Sequence, residues 1–171
     1  SGQETITFNA GIPTDLLTKD DNSYVEAKVD QVINQWKLDL EMILLYNKWY
    51  FQGQYFLAHL NRFQAGNYNG KGWYGQIGYM ILAKHNYNAA TGMIVNPAPK
   101  SLEVLCRYNM IDLNDAGIRG GRLTDISLGM NYFINKYVAA KINYTHMMVG
   151  NSSPKGGDDF GLLQARLQFS F

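Results

Sequence analysis

Four cations in this sequence have the type and placement to do chemistry: Arg62, Arg107, Lys141 and Arg166. Each falls on the polar side of a segment whose side chains alternate apolar and polar. Guanidinium and ammonium groups ranged along a lumen-facing surface offer charge-assisted hydrogen bonds to a passing anion, and rings of Arg or Lys lower the barrier to its passage. Such contacts must stay weak enough for release. Glu103, Asp39, Glu41 and Asp125 lie on the same kind of face. They supply the competing reading, in which the cations pair with carboxylates and stiffen a wall.

Other chemistry finds little support. His59, His85 and His146 are far apart, without metal-ligand spacing, and read as surface or interface residues. Asp112, Asn114, Asp115 and Gly117 lack the closing Glu of a calcium loop and read as a turn whose side chains bond their own backbone. The single cysteine, Cys106, permits no internal disulfide and reads as a small apolar strand residue. Asn151-Ser152-Ser153 matches a glycosylation acceptor, a short pattern with many chance occurrences. Gly-rich phosphate loops, nucleophile elbows and paired-carboxylate sites are not seen, so no catalytic residue, metal or cofactor is expected.

The chain has 171 residues, a length suited to one domain. A net charge of +1 gives no global basic field to gather nucleic acid or anionic lipid, so any charge selectivity must be local. Aromatic residues are abundant, with 12 Tyr, 8 Phe and 3 Trp, as suits strands and membrane interfaces. No basic segment followed by an apolar run opens the sequence, which for an exported protein implies a mature or truncated chain. No stretch approaches the ~20 apolar residues of a membrane helix.

The elements that must position these side chains follow a period of two. Alternation is clearest in 159–171, where Leu163, Ala165, Leu167, Phe169 and Phe171 oppose Gln164, Arg166, Gln168 and Ser170. In 137–148, Val138, Ala140, Ile142 and Tyr144 oppose Lys141, Asn143 and Thr145. In 122–134, Ile126, Leu128, Met130, Tyr132 and Ile134 oppose Asp125, Ser127 and Asn131. Similar patterns run over 101–113 and 34–46. They weaken over 72–84, where Met80 and Leu82 are out of phase, and over 49–62, where Phe56 and Leu60 share the polar face. A shorter strand covers 4–9, and 24–33 could extend a strand above the membrane. Most of the eight segments are about 12 residues long, above the ~5–6 of soluble strands and near the ~9–11 of tilted membrane strands.

Asn47-Lys48 and Asn135-Lys136 are expected as tight turns at one rim. Longer loops are expected at the other rim, over 10–33, 63–71, 114–121 and 149–158. The long connection 85–100, with Pro97 and Pro99, breaks this rule and should pack under or into the barrel. Tyr46, Trp49, Phe51, Tyr132, Tyr137, Phe169 and Phe171 should ring the short-turn rim, with Trp73 and Tyr144 toward the other.

Three blocks carry a family resemblance: Arg107-Tyr108-Asn109-Met110-Ile111-Asp112-Leu113-Asn114-Asp115, Ile118-Arg119-Gly120-Gly121, and Ser127-Leu128-Gly129-Met130-Asn131-Tyr132-Phe133-Ile134-Asn135. With Phe51-Gln52-Gly53-Gln54-Tyr55 and Phe8-Asn9-Ala10-Gly11-Ile12-Pro13, they resemble the phosphate-selective porin (O and P) family, in order from about residue 4 to Phe171. The resemblance implies an antiparallel transmembrane β-barrel in the bacterial outer membrane, of roughly 16 strands, assembled as a homotrimer. This chain would supply about half of it, the C-terminal half, as a single domain. An open half-barrel would leave unsatisfied edges in lipid and eight strands alone enclose no free aqueous path, so either the chain closes as a small non-conducting barrel or further strands are missing from it, and the resemblance favours missing strands. One departure is visible. Where the family pattern commonly places a basic residue after the hairpin turn, this chain has Ala139, with Lys141 next inward.

The expected function is passive diffusion of small, phosphate-like anionic solutes, with Arg62, Arg107, Lys141 and Arg166 facing the solute. The alternatives are a plugged structural or partner-binding barrel and a soluble lipocalin-type barrel. The expected partners are outer-membrane lipid, small solutes, sister subunits and the assembly machinery, which would read the last strand and Phe171; nucleic acid is not among them.

Overall fold

A computed structural model describes residues 4–11, 23–91, 93–95, 98–153 and 156–170. Those residues form strands and turns, with no helix among them. The strands are β1 (Glu4–Ala10), β2 (Val25–Tyr46), β3 (Trp49–Arg62), β4 (Tyr68–Met80), β5 (Asn86–Asn88), β6 (Met93–Val95), β7 (Ser101–Asp115), β8 (Ile118–Phe133), β9 (Val138–Val149) and β10 (Phe160–Phe169). Eight pair antiparallel in the order β1-β2-β3-β4-β7-β8-β9-β10, curled into half of a barrel, while β5 and β6 form a separate small hairpin. The convex face carries exposed apolar side chains: Leu40, Met42, Leu44, Phe51, Leu128, Ile142, Leu163 and Phe169 are all exposed there. Leu128 and Phe169 each keep 57% of their surface free. In water such a continuous face would be a severe liability. Against hydrocarbon it is the required surface.

Aromatic side chains border this band. Trp49 and Tyr79 meet at 4.6 Å near the short-turn end. Trp73 and Tyr108 meet at 5.1 Å toward the long-loop end, where Trp36 stacks on His59 at 5.2 Å. Beyond this second girdle the convex face turns polar. His59 Nδ1 lies 2.7 Å from Asn69 Oδ1, and Asn69 donates through both its nitrogens to Asp115 Oδ2.

Three connections differ from expectation. The turn expected as the two residues Asn135-Lys136 runs over 134–137, because β8 ends at Phe133 and β9 starts at Val138. The supposed loop 114–121 is a two-residue turn, because Ala116 and Gly117 both take positive φ (49° and 81°) and join β7 directly to β8. Its strands pair almost to the turn because a bulge in β8 absorbs one residue at Gly120-Gly121. Gly121 has φ 92°, and a Cβ on Gly120 would lie 2.6 Å from that of Ala27, so this pair lets β8 approach β2. Asn114 donates to Asp112 Oδ1 and accepts from Gly121 N, the self-bonded turn expected here instead of a cation site. β4 also starts earlier than its alternation indicated, at Tyr68, and ends at Met80, before Leu82.

β2 is the longest strand, at 22 residues, and realises the extension expected over 24–33. It carries two bulges, one opposite Glu4/Ile6 and one between Val32 and Asn34. They bend its long-loop half, paired to β1, over the concave side. Val25, Ala27, Val29 and Val32 pack there with Ala58, Leu60, Tyr68, Leu113, Leu123, Met147 and Val149 in a dry cluster. This explains the weakened alternation in β3, since Leu60 is apolar on the inner face because the bent hairpin covers it. The acidic pair Asp20-Asp21, Pro13, Pro97 and Phe171 lie outside the described residues.

Candidate functional site

Below the dry cluster the concave face holds a cavity of about 1120 Å³. The strand register sets its side chains in rows. Nearest the short-turn end, Arg166 faces Lys141, Lys141 faces Asn131, and Asn131 faces Glu103 across β10, β9, β8 and β7. Two rows farther along come Thr145, Ser127, Arg107 and Gln76, and then Asp125, Asn109, Tyr74 and Gln54. The next row is apolar, with Leu123, Ile111 and Phe56. The interior is therefore polar over its middle and dry toward the long loops.

Arg107 is held on two sides. Its guanidinium lies 4.0 Å from the Tyr74 ring centroid, and its Nε donates to Asn109 Oδ1 at 2.6 Å. Asn109 in turn donates to Asp125 Oδ1 at 2.7 Å. Ser127 extends this network to Thr145 at 2.8 Å. Such a fixed, partly desolvated cation meets an anion at little cost in ordering.

Lys141 and Arg166 are different. They are direct cross-strand partners on the inner face, Lys141 half-buried and Arg166 exposed. Among the described residues neither forms an ion pair or a hydrogen bond. Like charges placed opposite each other destabilise a ladder. The carboxylates that could have neutralised them are engaged elsewhere. Glu103 accepts from Asn131 at 2.6 Å and faces His85; Asp39 accepts from Gln54 and Glu41 from Gln52. Arg62 stands at the long-loop end, outside the cavity lining, where its Nε donates to the carbonyl of Asp30 at 3.0 Å.

At the short-turn mouth, the connection 81–100 packs His85 inward among its described residues. His85 is buried, its ring edge-on to Tyr50 at 4.6 Å, and its Nε2 is 3.5 Å from Glu103 Oε1 without a hydrogen bond. Burial holds the imidazole below its ordinary value, and Glu103 only partly offsets this. Tyr50 accepts a hydrogen bond from Gln76. The sequence reads His85 as a surface or interface residue, because no local pattern distinguishes a histidine buried by a returning loop. No group of three metal-ligating side chains occurs among the described residues.

A curled antiparallel sheet with a lipid-compatible convex face and a polar concave one is the wall of a transmembrane β-barrel. Residues 7–171 match the family model of the phosphate-selective porin O and P, and the chain belongs to this family of bacterial outer-membrane porins, which are channels and not enzymes. No curated protein matches the chain.

Proposed function

We propose that the chain forms the C-terminal half of a roughly 16-stranded, homotrimeric outer-membrane barrel through which small anions, phosphate-like in charge, diffuse passively. Arg107, Lys141 and Arg166 are the residues that face the solute. The observation carrying this reading is the Lys141–Arg166 pair, two adjacent cations that line the cavity with no ion-pair partner among the described residues. An anion shared between them relieves their repulsion while it is bound and restores it on leaving, which favours transit over retention. The unpaired edges of β1 and β10 support a larger barrel, because backbone groups left open to hydrocarbon cost several kcal/mol each, an order-of-magnitude value. The outward Leu163, Leu167 and Phe169 of β10 suit both the lipid interface and recognition of the last strand, with Phe171, by the assembly machinery.

The test is the reversal potential of the assembled barrel in a planar bilayer under a salt gradient. Anion preference is expected, reduced in Lys141→Gln and reduced further in Lys141→Gln/Arg166→Gln. Cation preference in the unaltered barrel would overturn the reading. A second reading, a plugged barrel without channel activity, is favoured by the dry cluster at the long-loop end. Its signature is the absence of open-channel current.

A further inference from the structure

The cations of the cavity have apolar neighbours that an inorganic anion would not use. Leu105 lies one row from Lys141 on the inner face, its Cδ1 spread over Gly129 where a Cβ would meet it at 2.9 Å. Leu162 stands four residues from Arg166 on the same strand and face. Phe56, Ile111 and Ala10 form the apolar margin below the dry cluster. All five line the cavity, and all are half-buried, with surface still open to a solute. A small hydrated ion gains nothing from such surface, whereas an alkyl or aryl group does.

We propose that the preferred solutes of this site are organic anions with an apolar body, such as medium-chain or aromatic carboxylates, whose charged group rests at Lys141 and Arg166 while the body lies on Leu105 toward β7 or on Leu162 along β10. This rests on the anion reading above and narrows its substrate class. A fully buried methylene strengthens binding about fourfold, and a half-buried one about twofold. The half-open state of these side chains selects the lower figure.

The experiment titrates sodium acetate, butyrate, hexanoate and inorganic phosphate against chloride current through the assembled barrel. Half-blocking concentrations should fall about twofold per methylene, with hexanoate more potent than phosphate. Leu162→Gln and Leu105→Gln should each flatten that dependence, with block by acetate changed far less than block by hexanoate. Lys141→Gln/Arg166→Gln should weaken block by every anion. Equal block by acetate and hexanoate would overturn this inference and leave the anion reading standing. Insensitivity of all four probes to Lys141→Gln/Arg166→Gln would overturn both.

Discussion

Leu128 and Ser127 are adjacent in β8 and face opposite ways. Leu128 is more than half exposed on the convex face, in the row of Cys106 and Tyr144. Ser127 lines the cavity and bonds Thr145. Arginine placed at each in turn should therefore have very different effects. At Leu128 the guanidinium enters hydrocarbon, at a cost of about 2–4 kcal/mol near the membrane midplane. At Ser127 it enters a wet cavity between Asp125 and Arg107, whose charges offset each other, and the main loss is the hydroxyl's bonds to Thr145 and, more weakly at 3.3 Å, to Asp125, about 1 kcal/mol together. The assay is reversible unfolding of the assembled barrel by guanidinium chloride in thin phosphatidylcholine bilayers, comparing Leu128→Arg and Ser127→Arg with the unaltered chain. The expected gap is at least about 1 kcal/mol in favour of Ser127→Arg, the difference of the two figures above. Were the convex face bathed in water, arginine at so exposed a leucine would change stability by less than about 0.5 kcal/mol. A near-neutral Leu128→Arg would thus refute the assignment of the two faces.

Two further outcomes concern the short-turn mouth. In Gly78→Ala the new Cβ would lie 1.9 Å from Tyr50 Cε1, so the ring must leave Gln76 and His85. A loss of about 1–3 kcal/mol in thermal unfolding is expected from this overpacking, with recovery when Tyr50→Ala is added. His85 sets a pH dependence. Because burial lowers its folded value, the docked loop favours the neutral ring, so docking is full above the free imidazole's value of about 6.5 and weakens as pH falls through it. A spin label at exposed Asn88 should become more mobile between pH 7.5 and 5 (values on the order of one unit either side of the free imidazole), and Asn88-labelled His85→Gln should show no such change. Equal pH response in both would remove His85 from the account.

The strands were legible because a membrane imposes one face of each to be apolar, and Leu128 to Tyr132 or Leu163 to Phe169 obey this without exception at alternate positions. Trp49–Arg62 matches its expected bounds although its alternation is imperfect. Legibility failed where the inner face stops being polar. Phe56 and Leu60 looked like errors in the pattern because the side chains that cover them, Val25 to Val32, are far away in sequence. The Ala116-Gly117 turn was masked by the polar residues around it, whose bulge hides continued pairing. Within the candidate site, Arg107, Lys141 and Arg166 followed from alternation alone. Which cations lack partners did not, since that depends on the lateral neighbours fixed by register.

The two bulges of β2 each insert one extra residue, and together they restore the phase of the strand. Val25, Ala27 and Val29 face inward before them, as do Asp39 and Glu41 after them. Removing one residue between Asp30 and Asn34 would turn the exposed Glu26 and Lys28 into the dry cluster and push the three apolar side chains out. Changes of length in this segment are therefore tolerable in pairs and ruinous singly, a parity rule written into the joint where the strand leaves the bilayer.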